Sequence, residues 1–278
     1  MSIQEILKIL TDSGIEPNEA NTEVKMLLKH FANYGVKDIV MGNKLTDEKL
    51  RIVKEKAELR AKTRQPIQHI IGFADFMGEK FIVNQSVLIP RDETEILVRK
   101  AIEIINENNF KMALDVGTGS GCIACMIAKY TDCQIIGLDI SSDALNTALD
   151  NASKLNLFNK AIFRKSDVFS NIKDGEKFDI IISNPPYIPP LEKENIQTEV
   201  KFDPELALYT TDKKGLEFYE KITKNAPKIL NSKGYLLFEL GIGQSSDVKS
   251  IMEKSGFSNI EIIKDLAGID RVIVGYLN

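Results

Sequence analysis

The sequence predicts an α/β fold: a doubly wound, mostly parallel sheet preceded by a small N-terminal helical bundle and a β-hairpin linker. Three observations carry this. Residues 1–63 repeat apolar side chains at helical spacing. From 91 to 278, short apolar strands alternate with helices. Between them, in the 64–90 region, "FADFMGEKFIVNQSVLIP" gathers aromatic and β-branched residues around Gly78, the texture of a hairpin.

Within the first region, "IQEILKIL" puts Ile3, Ile6, Leu7 and Leu10 on one helix face. "PNEANTEVKMLLKHFANYG" opens on Pro17 and stops at Gly35, a start and stop in the expected order. "TDEKLRIVKEKAELRAK" sets apolar residues at helical spacing behind an acidic first turn. A separate module ahead of an enzyme core suits recognition of a macromolecular substrate. In the α/β region "MALDV", "QIIGLD", "AIFRKSD", "FDIIIS", "GYLLFEL" and "RVIVGYL" read as strands. Helices are expected over 121–129, over 142–155 and in "GLEFYEKITKNAPKIL". No internal repeat interrupts the order.

The bulk properties exclude several classes. The 278 residues are 43% hydrophobic and 27% charged, which argues against disorder. A net charge of −4 makes no case for a broad nucleic-acid surface, so no direct nucleic-acid binding is expected. No apolar run approaches the ~20 residues of a membrane helix, and the start shows no signal-peptide pattern; a cytoplasmic location is expected. Three cysteines make a disulfide framework a poor reading. Cys122 and Cys125 read as small residues facing a sheet, and neither Cys133 nor the isolated His30 and His69 completes a metal site, so no metal is expected.

"LDVGTGSGCIA", 114–124, follows a strand and opens a helix. Its glycines at 117, 119 and 121 let the backbone turn tightly beside a ligand, leaving helix N–H groups free. Roughly 20 residues on, Asp139 ends the next strand, where a carboxylate can hold both hydroxyls of a ribose. An adenosine-containing ligand follows. Cys122 stands where the dinucleotide fingerprint needs Gly or Ala, which disfavours a nicotinamide cofactor. The pattern D-x-G-x-G-x-G resembles instead the first motif of Rossmann-like S-adenosylmethionine (SAM) methyltransferases.

The stretch "IISNPPYIPP" ends a buried strand on Asn184, Pro185, Pro186 and Tyr187. These residues suit a planar NH₂ group awaiting methylation. Such a nitrogen is a poor nucleophile with two N–H donors. The Asn184 side chain and the Pro185 backbone can each present a carbonyl acceptor, and Tyr187 a flat face. Two acceptors orient the nitrogen and stabilise charge building on it. A glutamine amide and an exocyclic base amine fit equally well.

Taken together, "RQPIQHIIGFADFMGEKFIV", "VLIPRDETEILV", "LDVGTGSGCIA", "LDIS", "SNPPYIP" and "RVIVGYL" resemble the release-factor glutamine methyltransferases (HemK/PrmC type), from about Arg64 onward. The resemblance implies a Rossmann-like class I methyltransferase domain over 91–278, with a central seven-stranded sheet, and substrate recognition by the helices of 1–63. It implies SAM as cofactor and S-adenosyl-L-homocysteine as product. The activity implied is N5-methylation of the glutamine in the Gly-Gly-Gln loop of class I peptide chain release factors; a monomer is expected. By motif match Gly117, Thr118, Gly119, Ser120, Gly121 and Asp139 would line SAM, with Asp167 and Val168 near adenine. Asn184, Pro185, Pro186 and Tyr187 would hold the glutamine amide, Asn184 also lying close to SAM. A glutamine of a ribosomal protein, or adenine N6 of a nucleic acid, remains an alternative substrate. Two positions depart from the family pattern. Asp92 replaces a proline and, with Glu95, predicts a capping arrangement at a helix start. Asp203 stands where a glutamate is usual.

Overall fold

The computed structural model describes residues 2–278; Met1, the first residue of the expected bundle, lies outside them. The chain divides into two compact units, 1–73 with 197–202, and 74–196 with 203–278.

The first unit holds α1 (Ile3–Asp12), α2 (Pro17–Ala32), α3 (Val36–Val40), α4 (Asp47–Thr63) and α5 (Ile67–Ile71). Their ends follow local chemistry. The Ser2 hydroxyl accepts the Glu5 N–H at 3.2 Å to start α1, and Pro17 occupies the first turn of α2. Asn33 closes α2 in the left-handed region. Ile6, Leu10, Val24, Leu27, Leu28, Val53 and Ala57 form a buried core. The short α3 and α5 carry too few residues for a periodic signal. A pair of opposite charges sits inside this core: Arg60 is 1% exposed and Glu23 4%. The Arg60 Nε donates to both carboxylate oxygens of Glu23, at 3.0 and 3.1 Å, and its Nη1 donates to Glu199 at 3.0 Å. Glu199 belongs to the 3₁₀ turn Thr198–Phe202 and also meets Arg64 at 2.6 Å. Burial pushes the Glu23 carboxyl above its ordinary range despite Arg60, so desolvation outweighs the attraction.

The second unit begins at Ala74, inside the hairpin of β1 (Phe73–Phe76) and β2 (Glu79–Ile82), which is turned by Met77 and Gly78, both at positive φ. Next come α6 (Thr94–Asn108), β3 (Met112–Val116), α7 (Cys122–Tyr130), β4 (Gln134–Asp139), α8 (Ser142–Lys154), β5 (Ala161–Lys165) and β6 (Phe178–Ser183). The chain ends with α9 (Glu205–Leu208), α10 (Glu217–Asn225), β7 (Leu230–Glu239), α11 (Ser245–Lys254), β8 (Phe257–Lys264) and β9 (Asp270–Leu277). The large sheet has seven strands among the described residues, in the order β5-β4-β3-β6-β7-β9-β8. Neighbours from β5 through to β7 pair in parallel, while β9 runs antiparallel to both β7 and β8. Strand side chains alternate between two cores. Ile180 and Ile182 join Leu97, Ala101 and the buried residues of α7 on one face; Ile181 joins Tyr219, Ile222 and Val248 on the other. Both faces are covered, which is why the strands read as continuous apolar runs.

Three elements differ from the sequence reading. The helix α11 and strand β8 carry a half-buried pattern, with only Val248, Met252 and Phe257 fully buried, too sparse for a periodic signal. β7 starts at Leu230, four residues before the apolar run. The capping arrangement expected of Asp92 and Glu95 does not form. No side chain caps α6 among the described residues; the Glu95 carboxylate accepts the Met77 N–H at 2.7 Å instead. A hairpin N–H pointing out of a positive-φ turn is the better partner for that charge. Cys122 and Cys125 are buried on α7 as expected, and burial holds the Cys122 thiol up at about 12. No helix among the described residues is long and apolar enough to cross a membrane.

Arg60 gives the first testable outcome. Arg60→Ala strands the Glu23 carboxylate in an apolar interior and should destabilise its unit by about 3–5 kcal/mol. The joint change Arg60→Met with Glu23→Leu removes both charges, leaves Glu199 with Arg64, and should lose far less. Denaturant unfolding of both variants checks the ordering; equal losses would show that the charges are not the cause.

Candidate active site

The sheet order reverses between β3 and β6. From β3 the chain moves outward through β4 to β5; from β6 it moves the other way to β7. The connections diverge there, leaving a crevice at the carboxyl ends of the strands. Both lips of that crevice carry the motifs singled out above.

On one lip, the turn after β3 is tied down by backbone bonds: the Gly117 and Thr118 N–H groups both donate to the Leu138 carbonyl at 2.8 Å. Gly117, Gly119 and Gly121 have φ of +77°, +53° and +76°, a path side chains resist. The Thr118 hydroxyl donates to buried Asp115 at 2.6 Å. It does so across Gly137 of β4, where a Cβ would sit 2.7 Å from the Thr118 oxygen and 2.6 Å from the Phe163 ring. Ser120 is buried and its carbonyl accepts from Asn151 of α8 at 2.9 Å; the same amide group of Asn151 bonds the Ile82 carbonyl at 3.0 Å. A Cβ at Gly121 would lie 2.9 Å from that of Ala148. Thr118, Ser120 and Gly121 therefore hold the turn's shape from beneath. Asp139 accepts the Gly119 N–H and the Ser141 N–H, each at 2.9 Å, one on each oxygen. Burial pushes its carboxyl above the ordinary range, with those two N–H groups opposing.

A cavity of about 590 Å³ opens against this turn. Gly117, Gly119, Asp139, Asp167, Val168, Asn184, Pro185 and Pro186 all line it. Thr118, Ser120, Gly121 and Tyr187 are not among its lining residues. Its volume lies within the range typical of small-molecule sites. Val168 is held at φ +48°, unusual for a β-branched residue, with its carbonyl accepting from the Ser166 hydroxyl at 2.8 Å. Asp167 pairs with Lys221 at 2.7 Å, both half-exposed. The geometry fits a nucleoside-bearing cofactor: a side-chain-free wall at Gly119, open beyond its Cβ position, and a carboxylate at the end of β4.

On the other lip, the Ser183 hydroxyl donates to the Val116 carbonyl at 2.6 Å and fixes the end of β6 beside β3. Asn184 follows. Its Nδ2 donates to the Thr94 hydroxyl oxygen at 3.3 Å, and that hydroxyl donates to Glu239 at 2.6 Å. Glu239 is 3% exposed; burial pushes its carboxyl up to about 7, opposed by the Thr94 bond. Tyr187 is half-buried, its carbonyl accepting from Gln244 at 3.1 Å, and burial raises its hydroxyl to about 12. A Cβ at Gly241 would be 3.0 Å from the Tyr187 ring, so the ring is packed rather than free. Asp203 is buried against Arg91 at 2.7 Å, its carboxyl raised to about 6 by burial. Sequence reasoning missed Thr94 and Glu239. An acid inside the apolar run "LLFEL" was the signal for Glu239; Thr94 lies inside "VLIPRDETEILV", a segment read above only for the resemblance and a helix cap.

A mostly parallel seven-stranded sheet in this order, with one antiparallel strand near its edge and a Gly-rich turn at the reversal, is the fold of the class I SAM-dependent methyltransferases. Residues 92–201 match the family model described as Methyltransferase small domain. A release factor glutamine methyltransferase of Fusobacterium nucleatum is 39% identical over 236 residues, covering 84% of this chain and 66% of that protein. One from Flavobacterium psychrophilum is 36% identical over 272 residues, covering 94% and 93%. The chain belongs to the release factor glutamine methyltransferase family. Among solved structures, a T. thermophilus 16S rRNA N2 G1207 methyltransferase in complex with AdoMet and guanosine superposes with a TM-score of 0.53. It is 15% identical, over 74% of this chain and 50% of that one, and shares the fold.

The buried acid beneath the turn sets a pH dependence of stability. Burial moves the Asp115 carboxyl from 3.8 to about 7 in the folded chain. Below about pH 4 it is protonated folded or unfolded. Between there and about pH 7 the unfolded chain ionises first, so its contribution to stability is lost as pH rises. Asp115→Asn removes that slope and should gain stability relative to wild type as pH rises, levelling off above about 7. Thermal melts across this range check it; parallel curves for the two proteins would contradict the assignment.

Proposed function

We propose that this chain transfers a methyl group from SAM to N5 of the glutamine in the Gly-Gly-Gln loop of class I peptide chain release factors, leaving S-adenosyl-L-homocysteine. One observation carries the reading: Asn184 and Pro185 share a cavity with Gly117, Gly119 and Asp139 at the strand ends. When bound, SAM supplies an electrophilic methyl on a sulfonium. In this reading Gly117 and Gly119 pass close to its methionine end, Asp139 takes the ribose hydroxyls, and Asp167 and Val168 border the adenine. Thr118, Ser120 and Gly121 keep the turn in shape.

The substrate amide is held by the Asn184 side-chain carbonyl and the Pro185 backbone carbonyl, one acceptor for each N–H. Both acceptors stabilise positive charge growing on the nitrogen, and neither has to remove a proton first; the nitrogen loses one N–H proton to solvent after the methyl has arrived. Pro186 stiffens the turn, and Tyr187 supports it or offers a face to the amide. The helices of 1–63 serve as the recognition module, 64–90 as the connecting segment and 91–278 as the methyltransferase domain. The family membership supports the release factor over a ribosomal protein, and the net charge of −4 supports a protein over a nucleic acid.

Labelled SAM, a purified class I release factor and its loop Gln→Ala variant test the substrate, with ribosomal proteins and DNA as competitors. Label confined to the loop glutamine is expected; label on a ribosomal protein or adenine instead would overturn the substrate. Asn184→Ala should keep SAM binding and lower transfer by at least ~10²-fold, the scale of a lost transition-state hydrogen-bonding group. Near-normal turnover in that variant would remove Asn184 from the mechanism.

A further inference from the structure

An asparagine amide presents two ends of nearly equal size and opposite chemistry. One rotation of its terminal torsion exchanges an acceptor for two donors. A substrate nitrogen with two N–H groups tolerates one orientation and is repelled by the other. Something must therefore choose, and the reactive side of Asn184 cannot do so before substrate arrives.

The choice lies behind Asn184. Its Nδ2 faces the Thr94 hydroxyl oxygen at 3.3 Å. The hydrogen of that hydroxyl is committed to Glu239 at 2.6 Å, so Thr94 offers Asn184 only lone pairs. The Asn184 amide in turn favours the ionised form of Glu239. Both neighbours favour the donor end of the amide. We propose that Thr94 and Glu239 are positioning residues, which turn the NH₂ end of Asn184 inward and so aim its carbonyl oxygen at the nitrogen to be methylated. The inference rests on the role assigned to Asn184 above.

The device is proton-sensitive. A protonated Glu239 donates to Thr94, which frees the Thr94 hydrogen to seek the Asn184 carbonyl and turn the amide over. The groups facing Glu239 are Thr94 and Glu93 at the start of α6, Arg271 of β9, and Asn184 and Tyr187 after β6. Tyr219 of α10 donates to the Glu239 backbone carbonyl at 2.9 Å, and Cys122 of α7 feels its charge. Arg271 is shared with Asp265 at 2.9 Å and Glu93 at 3.7 Å, so it favours the ionised Glu239 without neutralising it alone. Burial opposes it and brings the transition to about pH 7. Transfer should rise as pH climbs through that point.

Two measurements test this. Thr94→Val should lower kcat by about tenfold, the scale of one neutral hydrogen bond, with SAM affinity unchanged. Thr94→Ser keeps the hydroxyl and should restore most of that loss, and Glu239→Gln should flatten the acidic limb of the kcat profile. Wild-type kcat in Thr94→Val, or no rescue by serine, would overturn the proposal. The second measurement needs neither substrate nor cofactor. The side-chain amide NMR signal of Asn184, identified by its disappearance in Asn184→Asp, should titrate with a midpoint near 7 in wild type and not in Glu239→Gln. A signal that does not titrate in wild type would overturn the coupling. If wild type leaves the release factor unmethylated while the signal titrates as expected, the choice of substrate fails and the coupling stands.

Discussion

The parallel pairing of β3 with β6 is the constraint on which the site depends. Val116 lies opposite Ser183, and the Ser183 hydroxyl closes on the Val116 carbonyl at 2.6 Å. With that register fixed, the next residue of each strand is fixed too. A Cβ placed on Gly117 would lie 4.0 Å from the Asn184 backbone oxygen. The Gly-rich turn and the Asn-Pro-Pro segment are thus brought together by a strand register rather than by contacts of their own. A slip of one residue would turn the Ser183 hydroxyl to the other face and undo the alignment. The two covered faces of the sheet make that slip expensive, since Ile181 would have to exchange places with its neighbours on opposite sides.

Around this junction the chain gathers several arrangements that cost free energy. Asp115, Asp139, Asp203 and Glu239 all have carboxyls raised by burial. Val168 adopts a backbone conformation that branched side chains resist. None of these features stabilises the fold by itself. The strain is held by packing on both sides of the sheet, and its concentration at one end of the strands is a pattern expected of a binding site.

Much of this was legible in the sequence, and the limits have physical reasons. The helical bundle, the strands from Met112 to Ser183 and the two motifs are local patterns, each announced by a handful of adjacent residues. Their meeting followed from the rule that parallel sheets open at a reversal of strand order. Thr94 and Glu239 escaped notice because their bond spans 145 residues, and no window of sequence contains both. The Glu95 carboxylate turned to Met77 rather than to a helix cap for the same reason: its partner lies in the hairpin. Thr118, Ser120 and Gly121 share the motif of Gly117 and Gly119 but are not among the cavity's lining residues, and a motif does not say which of its residues face a cavity. The strand β8 was missed because its residues are mostly half-buried, and a weak alternation looks like a loop.

Gly137 illustrates a wider consequence. Its backbone is that of an ordinary strand, and it contributes nothing to the cavity wall, yet its missing side chain leaves the room that Thr118 and Phe163 fill. A screen of random variants for function would return glycine at 137 as stubbornly as at 117 or 119. The first would be kept for its volume and the other two for their torsions. A map of intolerant positions would then enlarge the apparent binding surface by one residue that no ligand ever touches.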